Sequence, residues 1–336
     1  MTRIALMGTG RIGTHHARTI AEEIEGLDLV LLADPLAPQL ESLAAELGVP
    51  TTARDPLDAT TADVDAVVIT SPAAVHVELI EACARAGKHI FTEKPLALSV
   101  PDAERAAAAA RRAGVVLQVG FNRRFAEAWA TAAAAVHNGA IGTVQRLSSL
   151  TRDPGPFTAD PARIAPATIF NETLIHDFDT LNWLNAGSEP VEVYAVADAL
   201  IRPDARSSGF RDSAVVTIRY DNGAIATAEA SFCAMYGYDL RGEVLGSAGM
   251  VQMGEPTSSG ARLFTAAGKS VTTAGTDTSR YHAAYRGEFD AFARAVAGED
   301  VDYPTADDGL RAQRIAAAAI VSAEQNRPVT IQEVSK

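Results

Sequence analysis

Apolar residues in the first third of the chain come in short unbroken runs, each followed by a stretch of helical periodicity. "RIALMG" (3–8), "LDLVLLAD" (27–34), "VDAVVITSP" (64–72), "KHIFTEKPLA" (88–97) and "VVLQVGFNRRF" (115–125) read as strands covered on both faces. Between them, "RIGTHHARTIAEEI", "APQLESLAAELG" ended by Gly48, "VHVELIEACARAG" and "PDAERAAAAARRAG" with Pro101 at its start read as helices. Strands alternating with helices in this way predict an α/β, doubly wound (Rossmann-type) parallel sheet.

After about residue 122 the pattern changes. One helix is expected over 126–138. "GTVQRLSSLTR", "PVEVYAVADALI", "DSAVVTIRYDNGAIATAEASFCAM", "DLRGEVLGSAGMVQMG" and the run 261–267 then predict strands, with "DNG" (221–223) as a hairpin turn. Helices are expected over 171–185, 281–297 and 306–325. The expected organisation is a nucleotide-type domain over 1–122 and an α+β domain on a mostly antiparallel sheet over 123–336. The C-terminal helix is a candidate to pack back on the first domain.

Composition narrows the classes. The 336 residues are 47% hydrophobic and 21% charged, enough to build an ordinary globular core. A net charge of −13 disfavours nucleic acid and anionic membrane surfaces as partners. No signal peptide or run of transmembrane length is evident, and the two cysteines are far apart, so a reducing cytoplasm is expected. Only four of the 29 basic residues are lysines, namely Lys88, Lys94, Lys269 and Lys336. A lysine inside an apolar segment therefore asks for a specific reason.

"GTGRIG" places Gly8, Gly10 and Gly13 in G-x-G-x-x-G spacing, with Arg11 and Ile12 between, after a strand and before a helix. In that context Gly8 makes the turn, Gly10 admits a pyrophosphate and Gly13 lets helix and sheet pack closely. Asp34 ends the second strand, in position to accept from ribose hydroxyls and to repel a 2′-phosphate. NAD is expected over NADP, although Arg11 could lend charge to a phosphate. Glu93-Lys94-Pro95 falls at the carboxyl end of the fourth strand, the edge where such sheets bind ligands. There Lys94 can hydrogen-bond a substrate hydroxyl or share its proton; the alternative is a surface lysine paired with Glu93.

"NETLIHDFDT" (171–180) carries Glu172, His176 and Asp179 at i, i+4 and i+7, one stripe of a helix, with Asp177 about 100° away from His176. A histidine with neighbouring carboxylates suits a base working near neutral pH. A solvated face and a metal site are the competing readings. His15 and His16 are expected to serve packing or solvent.

Taken together, "RIALMGTGRIGTHHA", "SPAAVH", "FTEKPLAL", "VGFNRRF", "TRDP", "IHDFD" and "YGYDLRGEVLGSAG" resemble the glucose–fructose oxidoreductase/inositol dehydrogenase/rhizopine-catabolism family over nearly the whole chain, most of all its inositol 2-dehydrogenase branch. The resemblance implies an NAD-dependent enzyme that oxidises a secondary alcohol of a cyclic polyol or sugar. It implies Lys94 and His176 at the reacting hydroxyl, with Glu172 beside the histidine. Arg124, Asp153, Tyr236 and Tyr238 would contact substrate, and Ser71, Pro72, His76, Glu93 and Asn122 would line the cofactor. It also implies a homo-oligomer, dimer or tetramer. Where that branch carries aspartate four residues before the histidine, this chain has Glu172. The double glycine before it and the "RRFDPS" continuation are replaced by "RIAPATIFNE" and "RRFAEAW". A sugar or glycoside dehydrogenase is the alternative within the enzyme class. A non-catalytic NAD-binding sensor or scaffold is the alternative outside it.

Overall fold

A computed structural model describes every residue except Ala267, Ala274 and Lys336. The first half of the chain lays down strands β1 (Thr2–Met7), β2 (Leu27–Ala33), β3 (Thr51–Ala53), β4 (Ala66–Ile69), β5 (His89–Glu93) and β6 (Leu117–Gly120). Helices α1 (Arg11–Glu23), α2 (Leu40–Leu47), α3 (Asp58–Thr61), α4 (His76–Arg85) and α5 (Val100–Ala113) alternate with them. The strands form one parallel sheet in the order β3-β2-β1-β4-β5-β6. The order reverses between β1 and β4, the point at which doubly wound sheets open a ligand crevice beyond their carboxyl ends.

The local signals explain the elements. α2 ends at Gly48 in left-handed backbone, and α5 begins at Ser99, whose side chain accepts from the Asp102 N–H, with proline in its first turn. β3 was not expected from the sequence. It is three residues long, with no buried side chain to set up a period.

The second half comprises α6 (Glu127–His137), β7 (Val144–Pro154), α7 (Leu174–Leu184), β8 (Pro190–Asp198), β9 (Ser213–Tyr220), β10 (Ile225–Ala234), β11 (Asp239–Gly246) and β12 (Met250–Met253). It continues with β13 (Thr257–Thr265), β14 (Gly268–Thr273), α8 (Asp277–Val296), α9 (Ala306–Gln325), β15 (Val329–Thr330) and α10 (Ile331–Val334). Seven strands make a mixed sheet ordered β12-β11-β7-β10-β9-β8-β15, antiparallel except where β10 runs parallel to β7. β13 and β14 pair with each other alone. Of the expected strand over 261–267, residues 261–265 fall in β13, Ala266 is in the turn that follows, and Ala267 lies outside the described residues.

The chain divides into two compact units. The first holds Met1–Phe125 and Ala283–Gln313, the second Ala126–His282 and Arg314–Lys336. Residues 283–313, which the sequence pattern grouped with the second half apart from letting the C-terminal helix pack back, group with the parallel sheet, the start of α9 among them. The cause is visible in the core: Phe289 and Phe292 of α8 are fully buried and join Ile4, Leu6, Ile20, Leu32 and Phe91 in one cluster. Burying each such ring contributes about 1.5–3 kcal/mol.

In the second unit, β9 and β10 alternate buried and less buried positions, so the sheet has one covered and one open face. α7 lies on the covered face. Tyr220 of β9 donates to Asn182 of α7 at 3.0 Å, and Ser149 and Thr151 of β7 donate to Asp177 of α7.

Candidate active site

The glycine loop joins β1 to α1 at the switch point. Gly8 has φ +101°, and a Cβ there would meet the Ser71 backbone nitrogen at 2.7 Å. A Cβ on Gly13 would sit 1.9 Å from the Gly8 carbonyl oxygen, so the helix can approach the loop only through glycine. A Cβ on Gly10 would have nothing within 4 Å. The first and third glycines are thus demanded by packing. The second faces open space at the N-terminus of α1, as a group that admits a diphosphate must. Arg11 and Ile12 begin that helix, Arg11 exposed and Ile12 half-buried.

The loop is braced from its neighbours. Thr70 Oγ1 donates to the Gly8 carbonyl at 2.6 Å, and Ser71 Oγ donates to the Met7 carbonyl at 3.0 Å. Pro72, exposed, carries the chain from there to a short turn before α4. At the end of β2, Asp34 accepts from the N–H groups of Thr9 (2.7 Å), Leu36 (2.9 Å) and Ala37 (2.8 Å), and more weakly from the Thr9 hydroxyl at 3.3 Å. Partial burial pushes its carboxyl up, but these donors outweigh that and hold it below the ordinary aspartate range. Asp34 is therefore an anion beside the glycine loop, suited to a ribose diol and hostile to a 2′-phosphate.

Lys94 follows β5 at the same sheet edge, half-buried, and its backbone is gripped on both sides. On one side Glu93 accepts the Lys94 N–H at 3.1 Å and meets His16 Nε2 of α1 at 2.6 Å. Burial pushes the Glu93 carboxyl up, yet the His16 hydrogen bond, the neighbouring lysine and the backbone N–H hold it low. On the other side the buried His76 ring faces the Pro95 carbonyl from Nδ1 at 2.8 Å and the Ser71 carbonyl from Nε2 at 2.9 Å. Burial lowers the His76 pKa despite those two acceptors, and a neutral ring donates to only one of them at a time. His76 therefore ties the β4 loop to the Glu-Lys-Pro segment. His16, expected from the sequence to serve packing or solvent, is instead a buried partner of Glu93. A signal was present: His16 shares the buried stripe of α1 with Gly13, Ala17 and Ile20.

Asn122 is buried at the turn after β6. Arg124, from the same turn, is ion-paired with Asp308 of α9 at 3.0 Å, and its side chain is only 8% exposed. Burial pushes the Asp308 carboxyl up, and Arg124 with Thr305 more than reverses this. The guanidinium expected to contact substrate thus has an internal anchor at the first turn of α9.

In the second unit the 171–180 segment departs from a uniform helix. Ile169–Thr173 form a π turn, in which the Leu174 N–H reaches the Ile169 carbonyl, and α-helix begins only at Leu174. The wider turn breaks the regular stripe. Glu172 is exposed, His176 half-buried and Asp179 buried, so the three do not share one environment. Such π turns recur at functional sites. Asp177, which the spacing set apart, is fully buried and accepts from both Ser149 and Thr151, the latter at 2.6 Å.

Asp153 has the same strand parity as Ser149 and Thr151, so it points to the covered face of β7 on which α7 lies. Arg152 points the other way, where it pairs with Glu229 and donates to the Tyr236 hydroxyl at 2.9 Å. That hydroxyl in turn donates to Asp239 at 2.7 Å. The Tyr236 hydroxyl is therefore engaged on the open face and is not brought toward α7. Tyr238 makes an edge contact with Tyr281.

Among the described residues, the grouping with side chains close enough to suggest a metal is His16, Glu93 and Glu288, not Glu172, His176 and Asp179. The 2.6 Å between His16 and Glu93 is a hydrogen bond. Ligand atoms around a tetrahedral zinc would stand about 3.3 Å apart.

A six-stranded sheet of this order, with this glycine loop and a carboxylate at the end of β2, defines an NAD-binding oxidoreductase domain. Residues 2–121 match the oxidoreductase family's NAD-binding Rossmann fold, and residues 129–252 match the GFO/IDH/MocA C-terminal domain. The chain belongs to the GFO/IDH/MocA family. It is 36% identical to inositol 2-dehydrogenase of Rhizobium meliloti, over 98% of this chain and 99% of that one. It is 33% identical to scyllo-inositol 2-dehydrogenase (NAD(+)) of Bacillus subtilis, over 98% and 96%. Among solved structures, scyllo-inositol dehydrogenase from Lactobacillus casei with bound NAD(H) and scyllo-inositol superposes with a TM-score of 0.90 at 28% identity, covering 99% of both chains. No helix among the described residues is long and apolar enough to cross a membrane.

Proposed function

We propose that the protein is an NAD-dependent dehydrogenase that oxidises a secondary alcohol of a cyclic polyol, inositol-like or a sugar, to the ketone. The observation that carries this reading is Lys94, held at the carboxyl edge of the cofactor sheet by Glu93 on one side and by His76 on Pro95 on the other. The polyol class rests on the relatives' substrates. When bound, NAD supplies the hydride acceptor. His176, with Glu172 one turn earlier, takes the hydroxyl proton, and Lys94 hydrogen-bonds the same oxygen. Asp34 selects the unphosphorylated ribose, while Gly8, Gly10, Gly13, Ser71 and Asn122 shape the cofactor's bed. Asp153 and Tyr238 belong to the substrate side.

The alternative within the enzyme class, a sugar or glycoside dehydrogenase, is favoured by Glu172 and the divergent 153–172 segment. A cytoplasmic setting is supported by two free cysteines. Self-association is supported by Tyr194, Val196, Val215, Ile225 and Leu245, exposed on the second unit's strands. The first unit is read as the cofactor domain and the second as the substrate domain.

The test is a panel of inositols, aldoses and glycosides with NAD, followed by NADH absorbance. Lys94→Ala and His176→Ala should each keep NAD affinity and lose about 100-fold or more in kcat on the best substrate. Turnover at the parent rate in both variants would assign the chemistry elsewhere. No NADH from any polyol or sugar, with NAD still bound, would favour the non-catalytic sensor.

A further inference from the structure

His16 on α1, Glu93 at the end of β5 and Glu288 on α8 form a buried group within the first unit. Their nearest nitrogen and oxygen atoms all lie within 4.8 Å of one another. Aromatic rings wall in the histidine: Phe289 at 4.9 Å, Tyr285 at 5.3 Å and Phe91 at 6.0 Å between centroids. Glu288 is fully buried, and neither carboxyl oxygen has a hydrogen-bond partner among the described residues. Its backbone is fixed independently, since Gln118 Nε2 donates to the Glu288 carbonyl at 2.7 Å. A carboxyl placed so deep with nothing donating to it is costly, and apolar packing alone would select leucine or methionine.

We propose that Glu288 is a positioning residue for Lys94, acting through Glu93 and His16. The inference rests on the role given to Lys94 above. The two carboxyls differ in their company. Glu93 has two N–H donors, one on each oxygen, so it is the anion of the group. Glu288 has none, and burial first, then the Glu93 charge, pushes its carboxyl well above the ordinary range. Both effects favour its protonated form, which can donate, and the only carboxylate in the group that can accept that proton is Glu93. A small turn of the Glu288 side chain, whose oxygen lies within 4.8 Å of Glu93's, brings its hydroxyl to Glu93 and lets Glu93 stay buried and charged while it holds the Lys94 backbone. Without that donor Glu93 turns, and the lysine it anchors turns with it.

The experiment compares Glu288→Gln, which keeps a neutral donor of the same shape, with Glu288→Met, which keeps the volume and removes the donor. Glu288→Ala replaces the latter if it is insoluble. In the NAD-bound enzyme, Glu288→Met should lose about 10-fold in kcat with the NAD dissociation constant unchanged within twofold, and Glu288→Gln should stay within about threefold of the parent. With only four lysines, carbon-13 reductive methylation yields a countable set of signals, and Lys94→Ala assigns the one of interest. That signal should move in Glu288→Met and hold still in Glu288→Gln. Parent-like kcat and an unmoved Lys94 signal in Glu288→Met overturn the inference, as does an equal loss in Glu288→Gln. If Lys94→Ala itself turns over normally, the assignment of Lys94 fails instead, and the two failures are told apart.

Discussion

Asp177 offers a sharp test of how the second unit holds its helix. The carboxylate is fully buried and takes one hydroxyl on each oxygen, Ser149 on Oδ1 and Thr151 on Oδ2, joining α7 to the middle of β7. Asp177→Ala removes the acceptor of both. Hydrogen bonds to a charged group contribute about 1.5–3 kcal/mol each, so the loss is about 3–5 kcal/mol once the small cavity relaxes or admits water. For a unit of this size that lowers the melting temperature by roughly 6–20 °C. Asp177→Asn keeps one acceptor oxygen and should lose about half as much. His176 is the preceding residue of the helix, so kcat on the polyol should fall further than NAD affinity does. Differential scanning calorimetry of the three proteins, with steady-state kinetics below the lowest transition, measures both effects. A melting temperature for Asp177→Ala within about 2 °C of the parent would show that the two hydroxyl bonds do not hold α7.

Three further outcomes follow. Asp34→Ser should weaken NAD binding by about 10-fold and narrow the preference over NADP, measured by titration of both cofactors; unchanged selectivity would remove Asp34 from cofactor choice. Because the folded Asp34 pKa is depressed, its stabilisation is fully present above the ordinary aspartate range and is lost as pH falls through the lowered value. The gap in melting temperature between parent and Asp34→Asn should therefore narrow as pH is taken from about 6 toward about 3, and a constant gap contradicts the depression. Burial pushes the Cys83 thiol up to about 12, leaving on the order of one thiolate in ten thousand at pH ~8. Native protein should consume one equivalent of thiol reagent, at Cys233, and denatured protein two; rapid native labelling of Cys83 would refute its burial.

Much of the first unit was legible in the sequence because its signals are local. The glycine spacing, the apolar strands, Gly48 as a helix stop and Pro101 as a start all act within a few residues. β3 escaped because three residues, two exposed and one half-buried, carry no period. The stripe on 171–180 was drawn on regular α geometry, which the π turn at 169–173 breaks. Residues 283–313 were assigned by proximity along the chain, whereas Phe289 and Phe292 belong to the core of the parallel sheet.

By itself the sequence determined the nucleotide-binding architecture, the carboxylate after β2 and the lysine at the strand edge. Each depends on the backbone geometry of one short segment. Only the tertiary structure decided which polar groups meet: His16 with Glu93 across 77 residues, Arg124 with Asp308, Asp177 with two hydroxyls on β7, and the Tyr236 hydroxyl with Arg152 and Asp239. A buried polar group must find a partner or lose a large free energy. Which partner is available depends on the strand order and the faces the folded elements present to one another, and a linear pattern does not encode that.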